Sequence, residues 1–459
     1  MIALKKLLLF TGDVLLLYVA LWITLLIRYG SDYSPELYQR HLLPFTLVFF
    51  IWITIFFIND LYSVHSSQND FRFYGYLLQN QVINTILGFV FFYIVPSGFT
   101  SLRPQTSLLV LVVVYTLLFL LWRRLFYSIS SSSRLANNVL FIGIDKETVN
   151  LVIEMQRKLQ LGYKTAALVN LTAFPLPSEL SLVPQKKDLI NLRQFIQENK
   201  IATVVTATDQ KNSGQVSKYL FDTLDLKLRY YSFPDFYEAI TGKVPVTSLE
   251  KTWFLQNLTQ GRKKAYEVIK RLEDIVMSLL LGLVTLPITV ILMALIKLES
   301  RGPIFYSQVR TGKGGKTFKT LKFRSMRVDA EASGQAVWAS KQDPRVTGIG
   351  RIMRTSRLDE IPQVINILRG EMTFVGPRPE RPEFIKILGE QIPFYNERLL
   401  VKPGLSGWAQ INYPYGDSIE DALVKLQYDL FYIKNRSFTL DASIILKTIN
   451  TVLNRSLGQ

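Results

Sequence analysis

The chain has no cysteine among its 459 residues. Disulfides, thiol nucleophiles, thiolate-bound zinc and iron–sulfur clusters are therefore excluded. Histidine is almost missing too: His41 and His65 are the two, so no imidazole base or multi-histidine metal site can form after residue 65. Charge is sparse, at 19% of residues against about a quarter in an average globular chain. The acidic sign is the scarcer, with 36 Asp and Glu against 53 Lys and Arg, a formal net charge of +17. What is left is oily and basic, 49% hydrophobic, and suits anionic headgroups, phosphorylated small molecules or nucleic acid. Beyond residue 65, chemistry must rest on carboxylates, Lys, Arg, Tyr or hydroxyls.

The length allows about three domains. Four stretches in the first 123 residues reach the ~20 apolar residues that a bilayer core requires. They are residues 7–27, interrupted by Asp13, and the intervals Arg40–Asp60, Arg72–Arg103 and Arg103–Arg123. A cleaved signal peptide is disfavoured by Asp13 and by the lack of a small-residue cleavage site. Lys5 and Lys6 precede the first span, and Arg123, Arg124 and Arg134 follow the fourth. An even number of crossings with basic flanks predicts that both ends of the bundle, residues 1–127, face the cytoplasm.

A serine-rich run at 128–133 predicts a linker. Beyond it, strand-like runs at 139–144, 165–171, 201–207 and 227–232 alternate with helical segments, which predicts a Rossmann-like parallel α/β domain over 137–240. Its first turn, Phe141 to Thr148, has Gly143 alone and puts Asp145 where a pyrophosphate would need close, neutral backbone. A structural or regulatory role is expected rather than nucleotide binding.

A fifth apolar segment has 22 uncharged residues between Asp274 and Lys297. Basic clusters flank it: Arg262, Lys263, Lys264, Lys270 and Arg271 before, Lys297, Arg301, Arg310 and Lys313 after. A full crossing would carry one cluster outward, against the positive-inside bias. The expectation is a re-entrant helical hairpin over 275–296, kinked at Pro287, with Thr285 and Thr289 serving the freed backbone groups. It would begin a C-terminal α/β domain over 262–459 and hold it at the headgroup plane, where a hairpin pressed against lipid leaves little room for a nucleic-acid duplex.

Pro362 is tolerated only in a first helical turn, so a helix is expected to start near Asp359. Neighbouring helical residues diverge by about 100°, which gives Asp359 and Glu360 separate tasks. One can attack while the other, or both, holds a divalent cation, an arrangement suited to phosphate chemistry with Mg2+. Arg354, Arg357 and Arg378 supply guanidiniums, the last between the prolines of Gly376-Pro-Arg-Pro379.

The segments LKFRSM (321–326), RTSRLDEIPQ (354–363), GEMTFVGPRPE (370–380) and VKPGLSGWAQINYPYG (401–416) together resemble the bacterial polyprenyl-phosphate sugar-1-phosphate transferases, the phosphoglycosyl transferase superfamily, over about residues 265–455. Four spans with a degenerate Rossmann-like domain resemble its long, polytopic members. The resemblance implies an enzyme of the bacterial inner membrane with a cytoplasmic catalytic domain. It would move a hexose 1-phosphate from a UDP-sugar to undecaprenyl phosphate and release UMP. It further implies that Asp359 attacks the β-phosphate to give a covalent phosphosugar intermediate and that Glu360 assists Mg2+. The family's basic residues fall on Lys322, Arg354 and Arg378, and Arg324, in the same basic run as Lys322, is taken with them as substrate-binding. Trp408 and Tyr413 become candidate pocket aromatics, and the long members suggest a homodimer. Small members place a serine before the kink proline, whereas here Leu286 precedes Pro287.

Two other readings use the same residues. Tyr266 and Lys270 match the YxxxK spacing of a membrane-bound UDP-sugar dehydratase, though the glycine fingerprint is missing. A non-catalytic membrane scaffold would not need Asp359, Glu360 and Arg378 together.

Overall fold

A computed structural model describes residues 2–62, 71–94, 104–130, 136–158, 161–207, 210–258, 264–327, 345–413, 416 and 418–453. The serine run beyond Ser130, His65, Arg103, Arg134, Arg262, Lys263, Pro414 and Tyr415 lie outside the described residues. The chain divides into two compact units, Met1–Phe236 and Tyr237–Gln459.

The first unit opens with α1 (Ile2–Tyr29), α2 (Pro35–Ile58), α3 (Phe71–Ile94) and α4 (Pro104–Ser130). Each has the length and hydropathy to cross a membrane. Ser34 starts α2, its side chain accepting from the Leu37 amide, with Pro35 at the first helical position. The helices share a core of Leu17, Phe45, Trp52, Phe56, Tyr115 and Phe119. Asp13, the interruption in the first apolar run, is fully buried and paired with Arg123 of α4. Arg123 also donates to the Leu61 carbonyl (2.7 Å) and lies 4.8 Å from the centre of the Phe119 ring. In lipid a lone charge is costly, so the two close on each other inside the bundle.

Next come β1 (Asn137–Ile142), α5 (Lys146–Arg157), β2 (Tyr163–Val169), β3 (Gln185–Lys186), α6 (Leu192–Glu198), β4 (Thr203–Thr206), α7 (Gln210–Phe221) and β5 (Arg229–Ser232). The five strands are parallel in the order β3-β2-β1-β4-β5, the doubly wound arrangement expected of strands alternating with helices. The two-residue β3 has no run long enough to show in the sequence. Gly143 has φ +87°, a backbone that an L side chain rarely adopts. Asp145 caps α5, accepting from the Thr148 amide and hydroxyl at 2.7 Å each. The chain's own carboxylate thus occupies the helix end where a dinucleotide phosphate would sit in a nucleotide-binding version of this fold.

The unit boundary falls within α8 (Phe233–Thr241). The second unit continues with α9 (Lys251–Asn257), α10 (Lys264–Glu299), the antiparallel hairpin β6 (Phe305–Thr311) and β7 (Thr317–Phe323), α11 (Gly348–Thr355) and α12 (Gln363–Arg369). Then follow β8 (Thr373–Val375), α13 (Pro382–Gln391), β9 (Gly404–Ser406), α14 (Trp408–Asn412), α15 (Ile419–Asn435) and α16 (Phe438–Leu453). β8 and β9 are parallel, and a core of Ile367, Met372, Val375, Leu426, Leu430 and Tyr432 joins them to the helices.

The fifth apolar segment is one continuous helix, α10, and not two helices joined by a turn. Pro287 removes one amide, but in a bilayer every other backbone group must stay bonded, so a single missing bond bends a helix sooner than it ends it. The Thr285 hydroxyl donates to the Leu281 carbonyl (2.7 Å) and so does not serve the Leu283 carbonyl that Pro287 leaves without its donor. Both extremities of α10 dock on the same α/β body. Near its start, Arg271 donates to the Ile367 and Leu368 carbonyls (2.6 Å each), and Asp274 accepts from the Thr373 hydroxyl (2.9 Å) and the Phe374 amide (3.0 Å). Near its end, Leu292 and Ile296 pack with Phe323 and Met353, and Glu299 accepts from the Ile349 amide (3.0 Å). Between these anchors the helix is bare: Leu283 and Val284 are 70% and 73% exposed.

Candidate active site

The acidic pair sits where two elements fail to join into one helix. α11 stops at Thr355, and Arg357 takes a left-handed backbone (φ +59°), which costs a side-chain-bearing residue about 1 kcal/mol or more. Leu358–Glu360 then form one 3-10 turn, and α12 starts at Gln363, a few residues later than the expected start near Asp359. Pro362 explains the delay. It has no amide to bond back to Leu358, so the Ile361 amide makes the shorter bond to that carbonyl instead (3.3 Å). The result presents two adjacent, buried carboxylates, 7% and 8% exposed, at different angles from a tight turn.

Their surroundings differ. Glu360 Oε1 accepts from Lys322 Nζ of β7 (2.7 Å) and from Arg378 Nη2 (3.0 Å). Burial pushes the Glu360 carboxyl up, but Lys322, Arg378 and Arg357 together outweigh it and hold the group well below the usual carboxylate range. Asp359 accepts no hydrogen bond and makes no ion pair among the described residues. Burial raises its affinity for a proton, opposed by the fields of Lys322, Arg354 and Arg357. One carboxylate is pinned; the other is loose among cations.

Arg378 is aimed by close backbone packing. β8 leads into Gly376-Pro377-Arg378, and a Cβ on Gly376 would lie 2.5 Å from the Lys402 carbonyl oxygen. Facing it, a Cβ on Gly404 would lie 2.1 Å from the Gly376 nitrogen, so the two glycines let the strands meet. Beneath the loop, Arg398 donates to the Arg378 carbonyl (3.0 Å), to Asp429 Oδ2 (2.8 Å) and to the Tyr395 hydroxyl (2.8 Å). Burial pushes the Asp429 carboxyl up to about 6 even against Arg398. A shallow cleft opens beside Arg378, lined also by Thr311, Glu380, Arg398 and Val401.

The sequence-derived site residues therefore separate into two sets. Lys322, Asp359, Glu360 and Arg378 meet, and Arg354 is near enough to act on Asp359 through its field. Arg324 is placed elsewhere: it is buried and donates to the Ser300 carbonyl (2.8 Å), the Ser300 hydroxyl (2.9 Å) and the Arg301 carbonyl (2.9 Å), closing the end of α10. Trp408 stacks on Phe431 with ring centres 5.6 Å apart and donates to the Gly242 carbonyl (2.9 Å). Tyr413 donates to Asp421 Oδ1 (2.7 Å) at the capped start of α15. These three are engaged in packing and capping contacts, not with the carboxylate pair. Tyr266 and Lys270, the YxxxK pair, both bond Asp441 Oδ2 at 2.6 Å and tie α10 to α16.

Arg398, Asp429, Tyr395 and Asn366 were not anticipated. Asp429 had a signal: it is a lone acid within Leu426–Ile433, an otherwise largely apolar stretch of α15. The donor set also bears on a metal. No group of three or more His, Asp or Glu is gathered among the described residues. Asp359 and Glu360 Oε2 fit a hard cation that keeps water and takes its remaining oxygens from phosphate, as magnesium does.

Comparison with known proteins places this unit. The family model described as bacterial sugar transferase matches residues 265–455. The chain is 37% identical over 252 residues to the UDP-N-acetylgalactosamine-undecaprenyl-phosphate N-acetylgalactosaminephosphotransferase of Aeromonas hydrophila, covering 55% of this chain and 59% of that protein. It is 34% identical over 273 residues to the UDP-glucose:undecaprenyl-phosphate glucose-1-phosphate transferase of Escherichia coli, covering 56% and 57% respectively. It is 40% identical over 197 residues to the exopolysaccharide production protein PSS of Rhizobium leguminosarum, covering 42% of this chain and 98% of that protein. The aligned part is thus somewhat over half the length of the first two relatives.

Proposed function

The chain belongs to the bacterial sugar transferase family, and we propose on that premise that it transfers a hexose 1-phosphate from a UDP-sugar to undecaprenyl phosphate, releasing UMP. The observation that carries the reading is the asymmetry of the acidic pair: Glu360 is held by Lys322 and Arg378 while Asp359 has no partner among the described residues.

An Asp359 carboxylate oxygen attacks the β-phosphorus of the donor. The bond from that phosphorus to the bridging oxygen breaks, and UMP leaves with the electron pair. An oxygen of the lipid phosphate then attacks the same phosphorus and displaces Asp359. No proton moves in either step, which suits a site without histidine. Lys322 and Arg378 face the charge that develops on the transferring phosphoryl oxygens, and Glu360 keeps both cations in place. Arg398, by holding the Arg378 carbonyl, fixes the loop that carries that guanidinium. Magnesium, held by Asp359 and Glu360, would supply further charge neutralisation at the phosphates.

The membrane setting follows from α10. Its bare middle, anchored at both ends on one α/β body and flanked by basic clusters, supports a helix that enters and leaves the bilayer on the cytoplasmic side. That geometry holds the acidic turn at the depth of a lipid-borne phosphate, with α1–α4 as four crossings of the inner membrane.

The test is a UMP-release assay with undecaprenyl phosphate, Mg2+ and a panel of UDP-sugars, followed by mass spectrometry of acid-quenched protein. A sugar-phosphate adduct on the Asp359 peptide is expected. Release with no donor in the panel would leave the scaffold reading in its place.

A further inference from the structure

We propose that Asn366 is a positioning residue: it sets the register of β7 against the acidic turn and thereby places Lys322 on Glu360. The β6–β7 sheet has two strands, so the outer edge of β7 would otherwise present unpaired backbone groups. Asn366 occupies that edge with both ends of its amide. Its Oδ1 accepts from the Leu321 amide (2.9 Å), and its Nδ2 donates to the Lys319 carbonyl (2.8 Å). The same Nδ2 also donates to Glu371 Oε2 (2.7 Å), and the residue is fully buried. The side chain thus copies the paired bonds of a neighbouring strand, and it does so next to Lys322.

Register is what this contact protects. Successive strand residues face opposite sides, so a slip of one position would turn Lys322 away from the carboxylate. The ring of contacts is short: Asn366 to Leu321, Leu321 to its neighbour Lys322, Lys322 to Glu360, and back through the 3-10 turn and α12. No other hydrogen bond between α12 and the edge of β7 is present among the described residues.

The inference rests on the proposed reaction only in taking Lys322 and Glu360 as parts of the site, and its first test needs no activity. Because the chain is cysteine-free, Lys322→Cys with Glu360→Cys gives a clean pair for a bis-thiosulfonate linker about 5 Å long. Adding Asn366→Ala to the full-length pair is expected to slow bridging about fivefold or more. An unchanged rate overturns the proposal whatever the enzyme does. If Asn366→Ala fails to fold, Asn366→Asp serves, since it keeps the acceptor for Leu321 and loses both donors.

Where the unaltered chain releases UMP, a second test is a double-mutant cycle on kcat. Asn366→Asp should lower kcat about tenfold with the donor KM changed less than about threefold. Combined with Lys322→Met it should cost no more than Lys322→Met alone. Multiplicative losses, or a change confined to KM, would assign Asn366 a role apart from Lys322.

Discussion

Of the clusters that set a buried carboxylate against a guanidinium, two, one in each unit, differ in how completely their charges are matched. In the helical bundle of the first unit, Asp13 meets Arg123 one to one, and aromatic rings and a carbonyl enclose the guanidinium. In the second unit Glu360 takes both Lys322 and Arg378, which leaves Asp359 as an acid without a partner among the described residues, beside further arginines. The matched pair leaves no net charge for a ligand. The unmatched one keeps a carboxylate with no partner among the described residues and surplus positive charge, which is the remainder the proposed reaction would use. Burial alone does not separate structural from functional ion pairs; the remainder after pairing does.

The largest effect should come from that remainder. Asp359→Asn is expected to reduce UMP release by about a thousandfold or more without lowering the thermal midpoint, since it removes a buried charge that makes no hydrogen bond or ion pair among the described residues. Full activity in this variant would erase the contrast between the clusters. The matched pair should respond in the opposite way. Arg123→Leu strands Asp13 in the bundle and should cost about 3–5 kcal/mol in unfolding measurements, while the double change Asp13→Leu, Arg123→Leu recovers most of it. Activity per folded molecule should be unchanged in both. Lys322→Met is expected to lower kcat about ten- to a hundredfold with a small loss of stability, because Arg378 still serves Glu360. Chelation by EDTA should abolish UMP release and added Mg2+ restore it, with no change in the Asp13–Arg123 bundle. At the far end of the scale, the exposed pair between Arg193 of α6 and Asp225 of the turn before β5 should tolerate Arg193→Ala with no measurable change in midpoint or rate.

Much of this was legible in the sequence, and the reasons are physical. Long uncharged runs can mean little but membrane-length helices, and α1–α4 fall on them. Strand-like runs spaced by helices announced the parallel sheet, and the acidic side chain at 145 announced that its phosphate end is filled. Within the site, Lys322, Glu360 and Arg378 come together from three segments whose motifs were visible separately. Arg324, a basic residue two positions from Lys322, looks identical to it in a one-dimensional pattern. Its face of the chain turns to the end of α10 instead. Trp408 and Tyr413 pose a related problem: aromatic residues in a glycine-rich stretch suit a pocket or a packed corner equally well, and here each makes a packing or capping contact. Arg398 and Asn366 could not have been found this way, because the backbone groups they hold at Arg378, Lys319 and Leu321 leave no mark in the sequence.

The double anchoring of α10 has a mechanical consequence. A single amphipathic strap can peel from lipid a turn at a time, each step costing little. If α10 enters and leaves one leaflet as proposed, an apolar helix clamped at both feet must be withdrawn whole, which makes attachment all-or-none. On that reading the domain is confined to a sheet, and its encounter with an equally confined lipid acceptor becomes a planar search at fixed height, with orientation settled before the two ever meet.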